Sequence, residues 1–260
     1  MPHKHKGERS RTSEIFGVNP VVEALRAKRR AIREITIANG TKDARLAQLI
    51  ELARAEHVPL HYAPRQQLDR ATGNAVHQGV VARIAAAEYA DAEELLDSID
   101  QVALNGTHPL FLVLDGVEDP HNLGAILRIA ECAGVNGVFV PERRAVGLTE
   151  TVGKASAGAI EYVPVARVTN LSRLIDQLKE RNVWVVGTAA DASTEYTGWD
   201  WTRASAIVMG GEGSGLHRLV REHCDELVRI PVLGQIESLN VSVATGIILY
   251  EVLRQRTAHQ

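Results

Sequence analysis

The chain has 260 residues, of which 45% are hydrophobic and 23% are charged, so its composition is that of a globular protein with a normal core. Its two cysteines, Cys132 and Cys224, are far apart and lack metal-ligand spacing, which argues against a disulfide framework or a zinc site and fits a reducing compartment. The charged N-terminus lacks the apolar core of a signal peptide, and no apolar run reaches the length of a membrane span. We therefore expect a cytoplasmic protein without a membrane segment or a metal.

The charge is unevenly distributed along the chain. The net charge is −3, yet residues 1–33 contain nine Lys or Arg residues against three Glu residues. A local basic segment can contact nucleic-acid phosphates although the whole chain is mildly acidic. Residues 1–12 are expected to form a flexible basic tail, which by itself is as typical of a solvated terminus as of a binding segment.

Residues 13–87 have the pattern of a small α/β domain. A turn and a helix are predicted for IFGVNPVVEALRAKRR, with Pro20 near the first helical turn. Apolar residues at helical spacing predict a helix in ARLAQLIELARAEH. Three short β-branched or apolar segments predict strands: IREITIAN, VPLHYA and GVVARIA. His77-Gln78-Gly79 is interpreted as a turn before the last of these strands.

The rest of the chain alternates strands and helices. Residues 88–108 are acidic and helix-prone, then turn-like, and are interpreted as a linker between two domains. From residue 109 to 260, the predicted strands are continuous Val, Ile and Leu runs rather than alternating ones. Such runs are buried on both faces, so they predict a parallel sheet covered by helices, at whose carboxyl edge ligands bind.

The first unusual strand end is LDGVEDPHNLGAILR, residues 114–128. Asn122 is a candidate N-cap of the helix that follows. Arg128 lies outside the apolar stripe and on the same side as Gly124, whose missing side chain is expected to leave room for the guanidinium to reach the loop. A plain surface arginine is the alternative.

The second unusual strand end is MGGEGSGL, residues 209–216. Four glycines after a strand would let a ligand approach the backbone. The Lys of a Walker loop is absent, and neither the spacing nor the late position fits a Rossmann loop. Glu212 is either a structural carboxylate or a functional one.

The third unusual strand end is RIPVLGQIESLN, residues 229–240, directly before the last helix. Ser238 and Asn240 stand where a buried helix would carry apolar residues. Helix capping explains them, and so does a binding site.

Together the three segments resemble the motifs of the SpoU (TrmH-type) family of RNA ribose 2′-O-methyltransferases, in the SPOUT superfamily. They match N-x-G-x-x-x-R, G-x-E-G-x-G-L and I-P-M-x-G-x-x-x-S-L-N-V-S-V-A, with Val232 in place of the usual Met. IFGVNPVVEAL and HQGVVA resemble an N-terminal L30e-like RNA-binding domain of the family. The resemblance implies an α/β-knot catalytic domain, with a parallel sheet and a C-terminal trefoil knot, after a small L30e-like α/β domain.

The resemblance also implies a function and a site. Enzymes with this domain arrangement transfer a methyl group from S-adenosylmethionine to a guanosine ribose in the peptidyl-transferase loop of large-subunit (23S) ribosomal RNA, and they act as homodimers without a metal. The positions that match the family's catalytic set are Asn122, Arg128, Glu212, Ser238 and Asn240. Those that match its donor-binding set are Thr188, Gly210, Gly211, Leu216, Ile230, Pro231 and Leu239.

The role of each catalytic position is a hypothesis. A guanidinium is effectively always protonated, so we expect Arg128 to orient a phosphate and the hydroxyl and to stabilise alkoxide charge rather than to act as a base. Glu212 is expected to organise the glycine loop and the subunit contact, and Ser238 and Asn240 to fix the loop and the ribose. The aromatic content of 4% argues against extensive base stacking.

Three alternatives stay open at the level of sequence. The same chemistry could act on transfer RNA or on another ribosomal nucleotide. The chain could be a non-catalytic RNA-binding ribosome-assembly factor that keeps the fold, although the complete catalytic set argues against this. A Rossmann-type nucleotide enzyme is disfavoured by the late glycine loop.

Overall fold

The structure is a computed structural model that describes residues 12–104, 106–213, 215–236 and 238–258. The chain divides into two compact units, Met1–Glu88 and Tyr89–Gln260. Of the predicted basic tail at residues 1–12, all but Thr12 lies outside the described residues.

The first unit is a four-stranded sheet with three helices. Its elements are β1 (Thr12–Phe16), α1 (Val18–Ala27), β2 (Ile32–Ala38), α2 (Leu46–Ala55), β3 (Leu60–Ala63), α3 (Arg65–Ala71) and β4 (Val80–Ala85). The strand order is β1-β4-β2-β3, with β2 and β3 parallel and the other pairs antiparallel. The three predicted strands are confirmed. The sequence did not indicate β1, because only Ile15 of its five residues is buried and no clear alternation marks it.

The core of the first unit follows the two periodicities of its elements. Ile35 and Ile37 alternate along β2, and Leu49 and Ala53 are one turn apart on α2; all four are buried in one cluster. The predicted turn at His77 is present. Within it Gly79 has a φ of +82°, and a side chain there would collide with Thr41.

Among its described residues, the second unit contains one seven-stranded sheet and six α-helices. Its elements are α4 (Ala92–Leu104), β5 (Leu110–Asp115), α5 (Pro120–Cys132), β6 (Gly137–Pro141), α6 (Glu150–Ala155), β7 (Val165–Val168), α7 (Leu171–Glu180), β8 (Trp184–Thr188), β9 (Thr194–Glu195), β10 (Ser205–Gly210), α8 (Arg218–His223), β11 (Glu226–Arg229) and α9 (Val241–Ala258). The strand order is β7-β6-β5-β10-β8-β11-β9, and every pair is parallel.

The predicted parallel sheet is therefore confirmed, including its burial on both faces. Along β5, Leu112 and Leu114 belong to the cluster that contains α5 and α9, whereas Phe111 and Val113 belong to the cluster that contains α4, α7 and α8. Strands β7 and β9 were not predicted. They have four and two residues, too short to stand out from neighbouring loops.

The segment at residues 88–108, interpreted from sequence as a linker, contains helix α4. Its Leu95, Leu96 and Ile99 are buried in the core of the second unit. Gly137 of β6 lies so close to this helix that a side chain there would collide with Leu95. The boundary between the two units thus falls at the start of this segment, between Glu88 and Tyr89.

The strand order places four strand ends next to one another. Asp115, Gly210, Thr188 and Arg229 are the last residues of β5, β10, β8 and β11, which are adjacent in the parallel sheet. The chain order reverses between β5 and β10, and a crevice at such a reversal is where ligands bind in open α/β sheets. None of the helices in the described ranges is long and apolar enough to cross a membrane. The trefoil knot stays a prediction.

Candidate active site

Three residues from three distant loops meet at the carboxyl edge of the sheet. The Nδ2 amide of Asn240 donates to Oδ1 of Asn122 at 2.9 Å and lies 3.4 Å from Oε1 of Glu212. Asn122 in turn donates its own Nδ2 hydrogen to Glu212 Oε1. All three belong to the predicted catalytic set. One carboxylate oxygen of Glu212 thus accepts from two amides.

Asn240 also caps the last helix. Its Oδ1 accepts from the backbone N–H of Ser242 at 2.9 Å and of Val243 at 3.3 Å, and from the Ser242 hydroxyl. The capping interpretation of the Ser-Leu-Asn segment is confirmed, and the same side chain joins the site through its other end. The cap therefore fixes the direction in which the amide nitrogen points.

The N-cap predicted for helix α5 was wrong. The cap is Asp119, whose Oδ1 accepts from the His121 N–H at 2.7 Å, and Pro120 takes the first helical position. Asn122 lies within the first turn and is buried. Because Asp119 satisfies the helix end, the Asn122 side chain is free to bond across to Glu212 and Asn240.

The space expected beside Gly124 is not available to Arg128. A side chain at Gly124 would lie 2.4 Å from Cβ of Ala155, so the glycine permits close packing of α5 on α6. That expectation was wrong because sequence spacing on one helix does not show what packs against it. Arg128 itself is exposed, and among the described residues it makes no hydrogen bond or ion pair.

The glycine loop owes its composition to the chain's own backbone. A side chain at Gly210 would lie 2.3 Å from the carbonyl carbon of Gly215, and one at Gly211 would lie 2.3 Å from the carbonyl oxygen of Gly116. Gly213 and Gly215 have φ values of +82° and +63°. The fold itself therefore requires these glycines, for contact between backbones and for left-handed turns. The approach of a ligand to this loop stays a prediction.

The other positions matched to donor binding lie along the same edge. The Thr188 hydroxyl donates to the Val208 carbonyl oxygen at 3.1 Å. Ile230 packs against the core, and Leu216 packs beside Gly187. Pro231, Ser238 and Leu239 are exposed. Within residues 231–236 and 238–239, no backbone group bonds to another backbone group, so the peptide N–H and C=O groups here are open to a ligand or to another chain.

A cavity of about 490 Å³ adjoins the amide–carboxylate cluster. Asn122 and Glu212 form part of its wall, together with Gly116, Val117, Glu118, Asp119, Arg144, His217 and Val241. Arg128 and Ser238 are not among its lining residues. The described part of the chain contains no group of three or more His, Cys, Asp or Glu side chains placed to hold a metal ion.

The sequence did not indicate that Arg144 lines this cavity, or that two other side chains hold it in place. Arg144 NH1 lies 3.2 Å from Nε2 of His217, whose Nδ1 lies 2.8 Å from Oδ1 of Asp115. Asp115 is buried, and it also accepts from the His217 backbone N–H at 2.7 Å. An acidic residue at the end of an all-apolar strand was a usable signal for Asp115. His217 is 102 residues away, and no local pattern links the two.

Apolar side chains are exposed around the third loop and the last helix. Leu233 is fully exposed and Ile236 is 76% exposed. Val232, Leu239, Val243 and Tyr250 are also exposed. A cluster of this kind beside open backbone groups is typical of a surface that another protein surface covers.

Comparison with known proteins places these features in a family. Residues 109–250 match the SpoU rRNA Methylase family, and residues 15–90 match the family described as RNA 2′-O ribose methyltransferase substrate binding. The two matched segments together cover most of both structural units.

Relatives of known description match over nearly the full length. The chain is 45% identical to the 23S rRNA (guanosine-2′-O-)-methyltransferase RlmB of Escherichia coli, over 94% of this chain and 98% of that protein. It is 46% identical to YacO of Bacillus subtilis, which is assigned to the TrmH family of tRNA/rRNA methyltransferases, over 93% and 95% of the two chains.

Solved structures of two similar proteins share the fold. An AdoMet-bound rRNA methyltransferase from Sinorhizobium meliloti has a TM-score of 0.74 and 27% identity, covering 94% of this chain and 87% of that one. A protein described as an RNA 2′-O ribose methyltransferase has a TM-score of 0.77 and 28% identity, with coverage of 96% and 93%.

Proposed function

Because the chain belongs to the SpoU family of RNA methyltransferases, we propose that it methylates the ribose 2′-hydroxyl of a guanosine in the peptidyl-transferase loop of 23S ribosomal RNA. The observation that carries the proposal is the near-complete match to RlmB, a 23S rRNA guanosine-2′-O-methyltransferase. The joined Asn122, Glu212 and Asn240 side chains support it, because a chain that kept only the fold would not need this hydrogen-bonded cluster.

The methyl donor is S-adenosylmethionine, whose sulfonium supplies an activated methyl group. The strand ends at Gly210 and Ile230, with Thr188 between them in the sheet, are proposed to hold its adenosyl part. Leu239 offers an exposed apolar surface, and residues 231–236 offer unpaired backbone N–H and C=O groups. Apolar contact combined with backbone hydrogen bonds suits a purine, which has two flat faces and a polar edge.

Arg128 is proposed to contact the substrate as a cation. A ribose hydroxyl is a weak acid, so its oxygen needs stabilisation as the proton leaves. The guanidinium is exposed and unpaired among the described residues, so its donors are available to a phosphate and to the developing alkoxide. The proton then passes to a phosphate oxygen of the RNA or to water.

Glu212 is proposed to organise the site rather than to remove the proton. Its Oε1 accepts from the amides of Asn122 and Asn240, and these two bonds hold the oxygen in a fixed position. This arrangement holds the glycine loop of β10 against helices α5 and α9. Ser238, which is exposed and two residues before Asn240, is proposed to contact the ribose.

The active form is proposed to be a cytoplasmic homodimer. The exposed apolar side chains from Val232 to Val243 adjoin the donor-binding positions, so a second copy packed there would cover them and help enclose the site. The first unit is proposed to bind ribosomal RNA, in keeping with its match to a substrate-binding family.

The test is methyl transfer from radiolabelled S-adenosylmethionine to 23S ribosomal RNA from cells that lack the modification, with transfer RNA alongside, followed by mapping of ribose methylation. The expected product is a single 2′-O-methylguanosine in 23S RNA, absent with Arg128→Ala. YacO is described as a tRNA/rRNA methyltransferase. If the label is found only in transfer RNA, the proposed reaction stands and the proposed substrate is wrong. Donor binding without transfer to any RNA would support an assembly factor.

A further inference from the structure

Most polar groups that line the cavity are already engaged. Asp119 caps α5, and Asn122 and Glu212 bond to each other. Two charged side chains are not engaged in this way. Glu118 makes no hydrogen bond or ion pair within the described residues, and Arg144 makes one hydrogen bond, although a guanidinium has five donors. The cavity therefore presents one open acceptor group and one open donor group.

Arg144 is held in a defined position. A guanidinium only donates, so Nε2 of His217 must be the acceptor of their 3.2 Å bond, and the ring proton is then on Nδ1 and donates to Asp115. Asp115 is buried and receives a second bond from the His217 backbone. This chain of bonds runs from the end of β5 to the wall of the cavity.

The backbone also holds the loop that carries Arg144. The φ of Arg144 is +58°, in the left-handed region, so the chain turns sharply at this residue. The loop is fixed to the one after β5, because the Val146 N–H donates to the Val117 carbonyl at 3.3 Å.

The charge of the cavity selects the kind of group that fits. Three carboxylates, Glu118, Asp119 and Glu212, line it against one guanidinium, so an RNA phosphate inside it would be repelled. A neutral base is not repelled. Guanine alone among the four bases has two adjacent donors, N1–H and N2–H, beside an acceptor, O6. A carboxylate accepts from both donors, and an arginine donates to O6 and N7.

We propose that this cavity holds the guanine base of the target nucleotide, with Glu118 accepting from N1–H and N2–H and Arg144 donating to O6. His217 and Asp115 are positioning residues for Arg144. The inference rests on the proposed function and specifies how the enzyme distinguishes guanosine from other nucleosides, next to the cluster of Asn122, Glu212 and Asn240.

The experiment uses the full-length protein and an RNA fragment that carries the mapped target position as guanosine, inosine or 2-aminopurine riboside. Inosine lacks the N2 amino group. 2-aminopurine lacks O6, and its N1 carries no hydrogen. For the wild-type protein, kcat/KM is expected to fall about 10-fold with inosine and about 100-fold with 2-aminopurine. Equal rates on all three RNAs would overturn the inference and leave the proposed function intact. No transfer to the guanosine RNA would instead reject the proposed function.

Substitutions assign the contacts. Arg144→Ala is expected to lower kcat/KM on guanosine RNA 10- to 100-fold and to change the rate on 2-aminopurine RNA less than about threefold. Glu118→Gln is expected to lower the rate on guanosine RNA more than on inosine RNA, which has no N2 donor to lose. Arg143→Ala is the matched control, since Arg143 is the adjacent exposed arginine and does not line the cavity. It should leave all three rates unchanged.

Two results would overturn the assignment. If Arg144→Ala lowers the rate on guanosine and 2-aminopurine RNA equally, the residue does not contact O6. If Arg144→Ala or Glu118→Gln lowers S-adenosylmethionine affinity measured by calorimetry, the cavity holds the amino-acid end of the donor. Unchanged donor affinity and melting temperature show that each variant is folded.

The positioning role of His217 has its own readout. His217→Asn keeps a donor toward Asp115 but has no acceptor near Arg144, so it should reduce discrimination against 2-aminopurine at unchanged donor affinity. A purely structural role would lower all rates in parallel and preserve the discrimination, and that result would remove His217 from the proposal.

Discussion

Asn240 and Asn122 are 118 residues apart in the chain, yet the amide of Asn240 donates to the amide oxygen of Asn122 at 2.9 Å. The same Asn240 caps helix α9 through its own oxygen. The start of the last helix and the first turn of α5 are thereby fixed relative to Glu212.

This double role predicts a separation of stability from activity. Asn240→Ser retains a good N-cap but has no amide that reaches Asn122, so its free energy of unfolding should stay within about 0.5 kcal/mol of wild type while methyl transfer falls more than 10-fold. Asn240→Ala should lose about 1 kcal/mol in addition. Urea unfolding and single-turnover transfer measure the two effects. A serine variant with wild-type turnover would reduce Asn240 to a cap.

Glu212 predicts a contrast between two substitutions. Glu212→Gln keeps an oxygen that can accept from Asn122 and Asn240, so turnover should stay within about 10-fold of wild type. Glu212→Ala leaves the Asn122 amide without its acceptor and should lose more. Single-turnover rates and donor affinity are the measurements. If the glutamine variant binds donor and keeps its oligomeric state but transfers no methyl group, Glu212 is the proton acceptor.

Arg128 is expected to need its planar guanidinium group, which can donate two parallel hydrogen bonds. Arg128→Lys preserves the charge but not bidentate geometry, so kcat should fall at least 10-fold at unchanged donor affinity. Arg173→Ala, an exposed arginine on α7, is the control and should have no effect. A lysine variant with a rate near wild type would contradict bidentate orientation. If Arg128→Ala loses affinity for S-adenosylmethionine but keeps its turnover, Arg128 neither orients the hydroxyl nor stabilises the alkoxide.

The glycine loop predicts two different costs. Gly211→Ala places a methyl group against the Gly116 carbonyl, where neither backbone can move away, and should destabilise the protein by roughly 2 kcal/mol or more, with loss of activity. At Gly213, a methyl group meets nothing within 4 Å but φ is +82°, so Gly213→Ala should cost about 1 kcal/mol. Thermal unfolding compares them. Equal effects would mean that backbone contact is not what requires Gly211.

The two cysteines should differ in reactivity. Burial raises the pKa of the Cys224 thiol to about 12, and its Sγ donates to the Val220 carbonyl. Cys132 is exposed, and its pKa is raised less. Iodoacetamide at pH 8 should therefore modify Cys132 in the folded protein and Cys224 only after unfolding, as mass spectrometry of the digested protein would detect.

Because folding raises the pKa of Cys224, the free energy of unfolding should also depend on pH. The folded state favours the neutral thiol, so the stabilisation is complete below the unfolded thiol pKa and is lost as the pH rises from about 9 toward 12. Cys224→Ala should weaken this alkaline loss of stability. An unchanged profile would assign it to other groups.

The sequence by itself determined the layers of the second unit and the residue types of the site. Continuous apolar runs encode a strand buried on both faces, and helical spacing encodes the stripes of α5 and α7, because burial and periodicity are local properties. The three motifs located Asn122, Glu212 and Asn240 without any knowledge of how they meet. They also indicated the cap at Asn240, which depends only on Ser242 and Val243, two and three residues further along the chain.

Only the tertiary structure decided the contacts between loops. It assigned the cap of α5 to Asp119, filled the space beside Gly124 with Ala155, and required Gly210 and Gly211 for contact between backbones. It also joined Asp115 to His217 and Arg144 at the wall of the cavity, and no motif indicates these contacts. The physical reason is the same in each case: these distances depend on how separate elements pack, and sequence spacing constrains only neighbours on one element.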